Sequence, residues 1–521
     1  MRTGYSGPHI VAAEQPLLAA GVPLMARAAF GLSVRVRRLL AGSGRPLAGA
    51  RIAVLVGPGN NGGDALFAAA HLAKLPIAVT VYLAHDRAHT GGLAALSRTN
   101  AHISRVTAAN VGELARAAVG SDLLLDALLG LGATGPARGL VGTLVRALNT
   151  EIAVARAADR PRAKIVAVDL PTGVDASTGQ IAGPDATVWA DHTVTFGALK
   201  TGLLVGPGAL AAGRVELVDI GLAMDPEPGQ VQSLDRADLT RLGIAARPPV
   251  TNHKFTAGVV GQITGSARYP GAAVMTAHAA LKSGAGLVRC VGAPELIAEV
   301  RRAHPEIVGG AGRVGAWVLG SGVAPGSRQE ARIASLLAES HDPHVGIVID
   351  AGALAVSAHH RIALDPLCVL TPHAGELAQL LSTLTGKEVT RHQVESNPLK
   401  WARLAQELTG ATVVLKGPVT LICGPGVTLA QDNGTPRLAT AGSGDVLAGL
   451  LGSLLAQHLE RLAHTEHHAA ALIAAAGVAL HGQAGRLAAG ELTTGGAETA
   501  SSRPIAASDV CVALPDALSG D

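Results

Sequence analysis

Aromatic side chains are scarce: the 521 residues include four Phe, three Trp and three Tyr. Hydrophobic residues nevertheless make up 48% of the chain, so its core must be built from Ala, Val, Leu and Ile. Cysteine is also rare. Cys290, Cys368, Cys423 and Cys511 show no CxxC spacing, so neither a disulfide framework nor a zinc site is expected. They read as four buried thiols in a reducing compartment. Neither charge sign dominates: 42 Lys and Arg stand against 39 Asp and Glu, a net charge of +3. No basic block or aromatic-interleaved stripe occurs, which excludes nucleic acid as an expected partner. Mean hydropathy is +0.34. Yet runs such as Leu123–Leu129 and Ala469–Ala475 fall far short of the ~20 apolar residues a spanning helix needs. The opening MRTGYSGPHIVAAEQ lacks a basic-then-apolar pattern, so no leader is expected and the chain reads as cytoplasmic. No Walker A pattern occurs, which excludes a P-loop NTPase.

What is present is strand–helix alternation. The length suits two large domains or three ordinary ones. Strands are expected at Arg51–Val56, Ile77–Leu83, Leu123–Leu128, Ile165–Asp169, His192–Phe196 and Val215–Ile220, with a helix over Asp64–Leu75. The alternation predicts a parallel sheet with helices on both faces. Composition shifts toward Pro, Asp and Arg over Gly221–Val250, which reads as a linker with a short helix. The alternation then restarts with Val259–Thr264, a helix over Gly271–Ser283, Leu287–Val291, Trp317–Gly320, Val345–Asp350, Cys368–Leu370, Thr412–Lys416 and Val419–Cys423. A long helical region follows Gly444. The expected division is residues 1–225, a linker at 226–248, and residues 249–521.

After the first strand runs Gly57-Pro58-Gly59-Asn60-Asn61-Gly62-Gly63-Asp64. Gly57, Gly59 and Gly62 fit G-x-G-x-x-G, in which glycines let the backbone approach a pyrophosphate at a helix N-terminus. Gly130, Gly132 and Gly135 fit it too, as do Gly310, Gly312 and Gly315. With 65 glycines such spacing arises by chance, and a plain strand-to-helix turn satisfies it equally well. The first two follow apolar strands, which raises them above the third. Asp126 ends a buried strand, and Asp169-Leu170-Pro171-Thr172 ends another. Ligands of open parallel sheets bind at strand carboxyl ends, so these loops would converge on one crevice. Oxygen groups on Asn61, Asp126 and Thr172 suit a hard cation, while helix capping and turn-holding use the same residues.

LVGPGNNGGD, DALLG, VDLPTGVDASTG and TFGALKTGL together resemble the NAD(P)H-hydrate epimerase domain over roughly residues 8–222. The resemblance implies a Rossmann-like three-layer domain that binds the hydrate and potassium. It places substrate on Asn60, Asn61, Gly62, Gly63 and Asp64, on Gly130, Leu131, Gly132, Ala133, Thr134, Gly135 and Pro136, and on Asp169. It places potassium on Asn61, Asp126 and Thr172. Lys200 is the expected partner of Asp169 in catalysis. Ala65 stands where the family usually has Gly.

In the second half, Ala441-Gly442-Ser443-Gly444-Asp445 enters an apolar helix. A helix N-terminus stabilises a transferring phosphoryl group, and an Asp in its first turn would take a proton from an attacking hydroxyl. A simple dipole partner would also explain the Asp but would leave the glycines without a reason. Lys416-Gly417-Pro418-Val419-Thr420 offers a cation, a hydroxyl and backbone N–H groups nearby.

NHKFTAGVVGQITGSARYPGAA, LGSGVAPG, VIDAGAL, LTPHAGE, LKGPVT and LATAGSGDVLAG resemble the NAD(P)H-hydrate dehydratases of the ribokinase-like family, over roughly residues 250–515. The resemblance implies a ribokinase-like α/β domain. Ala272, Gly322, His373 and Asp445 would contact the hydrate, and Lys416, Gly417, Pro418, Val419, Thr420 and Gly444 the nucleotide. Gly352 replaces a second Asp, which weakens any part for that carboxylate in ordering magnesium, while Asp350 is kept. Bacterial relatives use ADP, and the Ala- and Gly-rich two-domain fusion is of bacterial type, so ADP and Mg2+ are expected beside the K+ of the first domain.

The function so implied is epimerisation of hydrated NADH and NADPH, followed by dehydration of the S form through phosphorylation from ADP and elimination of phosphate. The expected partners are NADH hydrate, NADPH hydrate, ADP and copies of the chain in a homo-oligomer, with neither nucleic acid nor a membrane. The rival is a ribokinase-like kinase of a vitamin precursor carrying an N-terminal binding module. It leaves NNGGD and TPHAGE without a reason.

Overall fold

The computed structural model describes residues 1–521 apart from 43–45, 134, 246, 340, 341, 343, 467, 494–496, 500, 520 and 521. The backbone divides into two compact units, Thr3–Gln230 and Val231–Asp521, with Met1–Arg2 belonging to the second.

The first unit is built on seven strands: β1 (Arg51–Val56), β2 (Ala78–Leu83), β3 (His102–Arg105), β4 (Leu123–Ala127), β5 (Lys164–Val168), β6 (His192–Phe196) and β7 (Arg214–Val218). They lie in the order β3-β2-β1-β4-β5-β6-β7, all parallel. Strand order reverses between β1 and β4, which opens a crevice at their carboxyl ends. Alternate β1 residues feed the two faces. Ile52, Val54 and Val56 pack with helices α1 (Gly7–Ala19), α2 (Leu24–Ala41) and α3 (Asn60–Leu72) on one side; of these helices, α2 and α3 supply the buried side chains. Ala53 and Leu55 pack with α4 (Val111–Val119) and α5 (Gly139–Ala157) on the other. Continuous apolar strands covered on both faces are the pattern of a parallel sheet.

Helix α3 begins at Asn60 rather than at Asp64, so both asparagines and both following glycines belong to its first turn, and Ala65 to its second. The low helix propensity of Asn-Asn-Gly-Gly is overridden by packing. A Cβ on Gly62 would stand 2.4 Å from the Gly57 carbonyl oxygen. The third glycine triplet, Gly310 to Gly315, joins strands Val308–Gly309 and Ala316–Leu319 with no helix behind it, so it is not a phosphate loop.

Residues 226–248, expected to be a linker, are divided. From Val231 onward they pack with the second unit, because Leu234, Leu239, Leu242 and Ile244 bury their side chains in its core. The segment holds β8 (Val231–Ser233) and the short helix Arg236–Arg241, which is closed by a capping box between Asp235 and Asp238.

The second unit continues with β9 (Val259–Ile263), β10 (Leu287–Cys290), β11 (Val308–Gly309), β12 (Ala316–Leu319), β13 (Gly346–Ile349), β14 (Cys368–Leu370), β15 (Thr412–Leu415), β16 (Thr420–Gly424) and β17 (Val427–Gln431). Their order is β11-β10-β9-β12-β13-β14-β15-β16-β17-β8. Pairing is parallel except at β16, which runs against both neighbours. Helices α6 (Pro270–Lys282), α8 (Ser443–Ala463), α9 (Ala469–Ala488) and α10 (Ala507–Ser519) share one core, and α7 (Ala374–Thr385) follows β14. Small residues let these helices touch. A Cβ on Gly449 of α8 would lie 2.3 Å from the Thr276 carbonyl oxygen of α6.

The four cysteines are buried and free. Burial pushes the Cys368, Cys423 and Cys511 thiols up to about 12, far from the reactive thiolate range. Among the described residues no single helix is long and apolar enough to cross a membrane.

Candidate functional site

In the first unit the loops after β1 and β4 meet backbone to backbone. A Cβ on Gly57 would fall 1.8 Å from the Leu128 carbonyl oxygen, so only glycine allows the contact. Below them Asp126 is fully buried. Its carboxylate accepts from Thr172 N and Thr172 Oγ1, both at 2.8 Å, and from Leu128 N at 3.3 Å. Burial raises its carboxyl to about 6 in spite of those bonds. Asn61 Nδ2 donates to the Leu129 carbonyl at 2.8 Å, and Leu129 N donates to Thr172 Oγ1 at 3.2 Å. The Leu129 peptide therefore ties Asn61 to the Thr172–Asp126 pair. Asn61 Oδ1 is buried with no protein partner. An orphaned amide oxygen joined through one peptide to a hydroxyl and a carboxylate is a donor set whose chemistry fits a hard monovalent cation.

Asp169 follows β5 with a backbone φ of +65°, a strained conformation for a non-glycine residue that turns its side chain into the crevice. It accepts from Lys200 Nζ at 2.5 Å, Thr195 Oγ1 at 3.1 Å and Phe196 N at 3.2 Å. Lys200 is 1% exposed, and its ammonium also donates to Thr195 Oγ1 and the Phe196 carbonyl, each at 3.0 Å. The pair is thus fixed by the β6 end and opens on one side only.

That side is a cavity of about 580 Å³. The expected substrate residues Asn60, Asn61, Asp64, Gly130, Leu131, Gly132, Ala133 and Asp169 line it. Gly62 instead backs Gly57, and Gly63 packs against Met25 and His89. Gly135 lines a second cavity of about 210 Å³ with Leu170, Pro171 and Gly173. Pro136 lines neither, and Thr134 lies outside the described residues. One lining residue outside the expected substrate contacts is Glu14, on α1. Burial pushes the Asp64 carboxyl well up, the charges of Asp169 and Glu14 add to this, and Lys200 opposes it. Asp64 Oδ1 has no protein partner.

In the second unit Gly442, with φ +88°, begins α8, and Asp445 occupies its first turn. Burial first, then the charge of Asp350, raises the Asp445 carboxyl to about 6, against the Ser321 hydroxyl and the Lys416 ammonium. Lys416 donates to Asp350 Oδ1 at 3.0 Å and lies 3.8 Å from Glu376 Oε2. A Cβ on Gly444 would be 3.6 Å from Lys416 Nζ, so cation and helix N-terminus face each other. Gly417 and Pro418 form the exposed turn between β15 and β16, followed by buried Val419 and Thr420. Asp350 also accepts from Ser321 Oγ at 2.8 Å and Thr371 Oγ1 at 2.7 Å.

His373 caps α7. Its Nδ1 accepts from Gly375 N at 3.1 Å and Glu376 N at 3.2 Å, and Glu376 Oε2 takes His373 N at 2.9 Å in return. This capping box holds Glu376 toward Lys416. Ala272 and Gly322 are neighbours, since a Cβ on Gly322 would lie 2.7 Å from that of Ala272. Sequence reasoning missed Glu376, although the capping-box spacing carried the signal. It also missed His481, buried 3.4 Å from Ser443 Oγ behind the glycine turn. Burial lowers that imidazole to about 4, so it stays neutral.

Comparison with known proteins follows the same division. A family model described as YjeF-related protein N-terminus matches residues 22–202, and one described as NAD(P)H-hydrate dehydratase matches 260–505. The bifunctional NAD(P)H-hydrate repair enzyme of Mycobacterium tuberculosis is 38% identical over 477 residues, covering 88% of this chain and 90% of that one. Its counterpart in Mycobacterium leprae is 36% identical, covering 97% and 98%. A solved ribokinase-like superfamily protein of Enterococcus faecalis is 24% identical, covers 55% of this chain and 95% of that one, and has a TM-score of 0.45.

Proposed function

The chain belongs to the bifunctional NAD(P)H-hydrate repair enzymes, and from that membership we propose how its residues divide the work. It epimerises hydrated NADH and NADPH in the first unit and dehydrates the S form in the second. The kinase alternative is not favoured, because the likeness to repair enzymes runs through both units.

In the first unit the hydrate lies in the 580 Å³ cavity, over Asn60, Asn61, Asp64 and the Gly130–Ala133 turn. The reacting carbon bears a hydroxyl beside the ring nitrogen. Inversion requires a bond at that carbon to break and to re-form on the other face, with one proton given and one taken. Asp169 is the base, and Lys200 fixes it in place. Potassium, held by Asn61, Asp126 and Thr172, would brace the two loops against each other; the orphaned Asn61 Oδ1 supports this.

In the second unit Asp445 takes the proton of the hydrate hydroxyl as it attacks the terminal phosphorus of ADP. The α8 N-terminus and Lys416 stabilise the charge that develops on the transferred group. AMP leaves. Loss of phosphate from the reacting carbon, driven by the ring nitrogen's lone pair, with loss of a proton from the adjacent ring carbon, then restores the dihydropyridine, because phosphate leaves far more readily than hydroxide. His373, Ala272 and Gly322 border the hydrate, while Gly417 to Thr420 and Gly444 border the nucleotide. The carboxylate of Asp350 is already engaged by Ser321, Thr371 and Lys416, and Gly352 adds none. The residues themselves therefore build no magnesium cage, and the ion would enter on the nucleotide's phosphates. ADP rather than ATP as donor, and a place in the cytoplasm, are the finer readings.

The observation that carries the assignment is the buried Asp169–Lys200 pair opening on one cavity, in the same chain as an Asp at a glycine-started helix beside a lysine. Separated epimers test it. S-NADH hydrate with ADP and magnesium should regain NADH absorbance unless Asp445 is replaced by Asn. The R form should do so only while Asp169 and Lys200 are intact. Equal rates with ATP and ADP would overturn the donor assignment.

A further inference from the structure

Three carboxyl groups, Glu14, Asp64 and Asp169, line one cavity, and among the described residues the one cation whose charge bears on them is Lys200, behind Asp169. Lys200 is committed to Asp169, which also holds Thr195 and the Phe196 N–H. The other two have no such support. Asp64 Oδ1 has no protein partner, and among the described residues burial and the charges of Asp169 and Lys200, with no hydrogen bond, are what act on Glu14. One cation cannot balance three carboxylates in a confined space, so ionisation of the unpaired pair is disfavoured. Burial and the nearby charge of Asp169 raise the Glu14 carboxyl, against Lys200, which agrees with that count. The charged groups bearing on Glu14 are Asp169 and Lys200 from the β5 and β6 ends and Asp64 from α3. Asp64 sits deep, whereas Glu14 is only half-buried on α1 and can exchange its proton with solvent.

Inversion needs an acid as well as a base, and Asp169, locked to a lysine and two other donors, is suited only to the second task. We infer that Glu14 is the acid of the epimerase, working across the cavity from the Asp169–Lys200 pair; this rests on the epimerase reading above. The step balances. Glu14 gives its proton to the departing hydroxyl, the C–O bond breaks with its electron pair leaving on water, and the ring nitrogen's lone pair closes a C=N bond. Water then adds to the opposite face. The new C–O bond forms, the C=N pair returns to nitrogen, and the proton lost by that water passes to the Asp169 carboxylate. Exchange with solvent returns Asp169 and Glu14 to their starting states.

The test uses the full chain, R-enriched NADH hydrate and no nucleotide, with the epimer ratio followed by chromatography. Glu14→Gln should lower kcat about 100-fold or more, the usual share of a general acid. KM should stay within about twofold of the wild-type value, and Glu14→Asp should recover part of the rate. The wild-type rate should fall at high pH as the acid is spent, and Glu14→Gln should lack that descending limb. Unchanged dehydration of the S form by the other unit confirms that the variant chain is intact. A kcat within about threefold of wild type, or a loss carried entirely by KM, would overturn the inference. A wild-type chain that left the epimer ratio at the no-enzyme rate would instead overturn the epimerase reading itself.

Discussion

Replacing Asp445 by Asn removes the proposed base of the dehydratase while keeping its shape. A positioned general base contributes about 10²–10⁴ in rate, or about 3–5 kcal/mol, so kcat/KM should fall by that factor. The raised pKa of about 6 fixes the pH dependence. Near pH 5 about a tenth of Asp445 is ionised, so wild-type kcat/KM should be about tenfold below its plateau and level off above about pH 7. Stability moves the other way. Because the folded pKa lies above the ordinary 3.8, the fold resists ionisation of this group. That penalty is absent below about pH 4 and complete above about pH 6. Its upper bound is about 3 kcal/mol, reduced by solvent screening because the carboxylate is partly exposed. Asp445→Asn should therefore be inactive yet more resistant to urea at pH 7, with no gain at pH 4. The assay is dehydration of S-NADH hydrate across pH 5–8, beside urea melts. A flat pH profile, or a variant within tenfold of wild type, would refute the reasoning.

Lys200→Met leaves Asp169 with Thr195 and the Phe196 N–H alone, and breaking a buried pair costs about 3–5 kcal/mol. Hydrogen exchange over Ile165–Val168 should quicken, and the double variant with Asp169→Asn should lose less stability than the two single changes summed. Gly57→Ala drives a methyl group onto the Leu128 carbonyl, so it should destabilise the first unit by about 1–3 kcal/mol and abolish epimerisation while sparing dehydration. Exchanging potassium for tetramethylammonium, or changing Asn61 to Ala, should slow epimerisation and leave dehydration of the S form untouched. Equal rates in both salts would remove potassium from the account.

The central strands were legible because buried parallel strands are continuous apolar runs: RIAVLV and HTVTF read directly from composition. The edge strand β3, His-Ile-Ser-Arg, was not, because its side chains are largely solvated and carry no apolar run. The start of α3 was hidden for a different reason. Asn-Asn-Gly-Gly reads as a loop, and the close approach of Gly62 to the Gly57 carbonyl, which packs this turn against the loop, is a tertiary contact with no local signal. Residues 231–248 looked like a linker by composition, although four of their Leu and Ile side chains reach the core. For the sites, motifs mark residues at strand ends, loops and helix starts, which is where Asp169, Lys200, Lys416 and Asp445 are found. Glu14 sits singly in an Ala- and Leu-rich stretch of α1 with no charged neighbour to mark it as a site residue, and only the folded helix makes it part of the cavity.

The most direct test is a mixture of both epimers of NADH hydrate, with magnesium, potassium and ADP, followed by the return of NADH absorbance. The wild-type chain should convert all of it. Asp169→Asn should stop at the fraction present as the S form, and Asp445→Asn should convert none. Absence of conversion by the wild-type chain with either ADP or ATP would contradict the account.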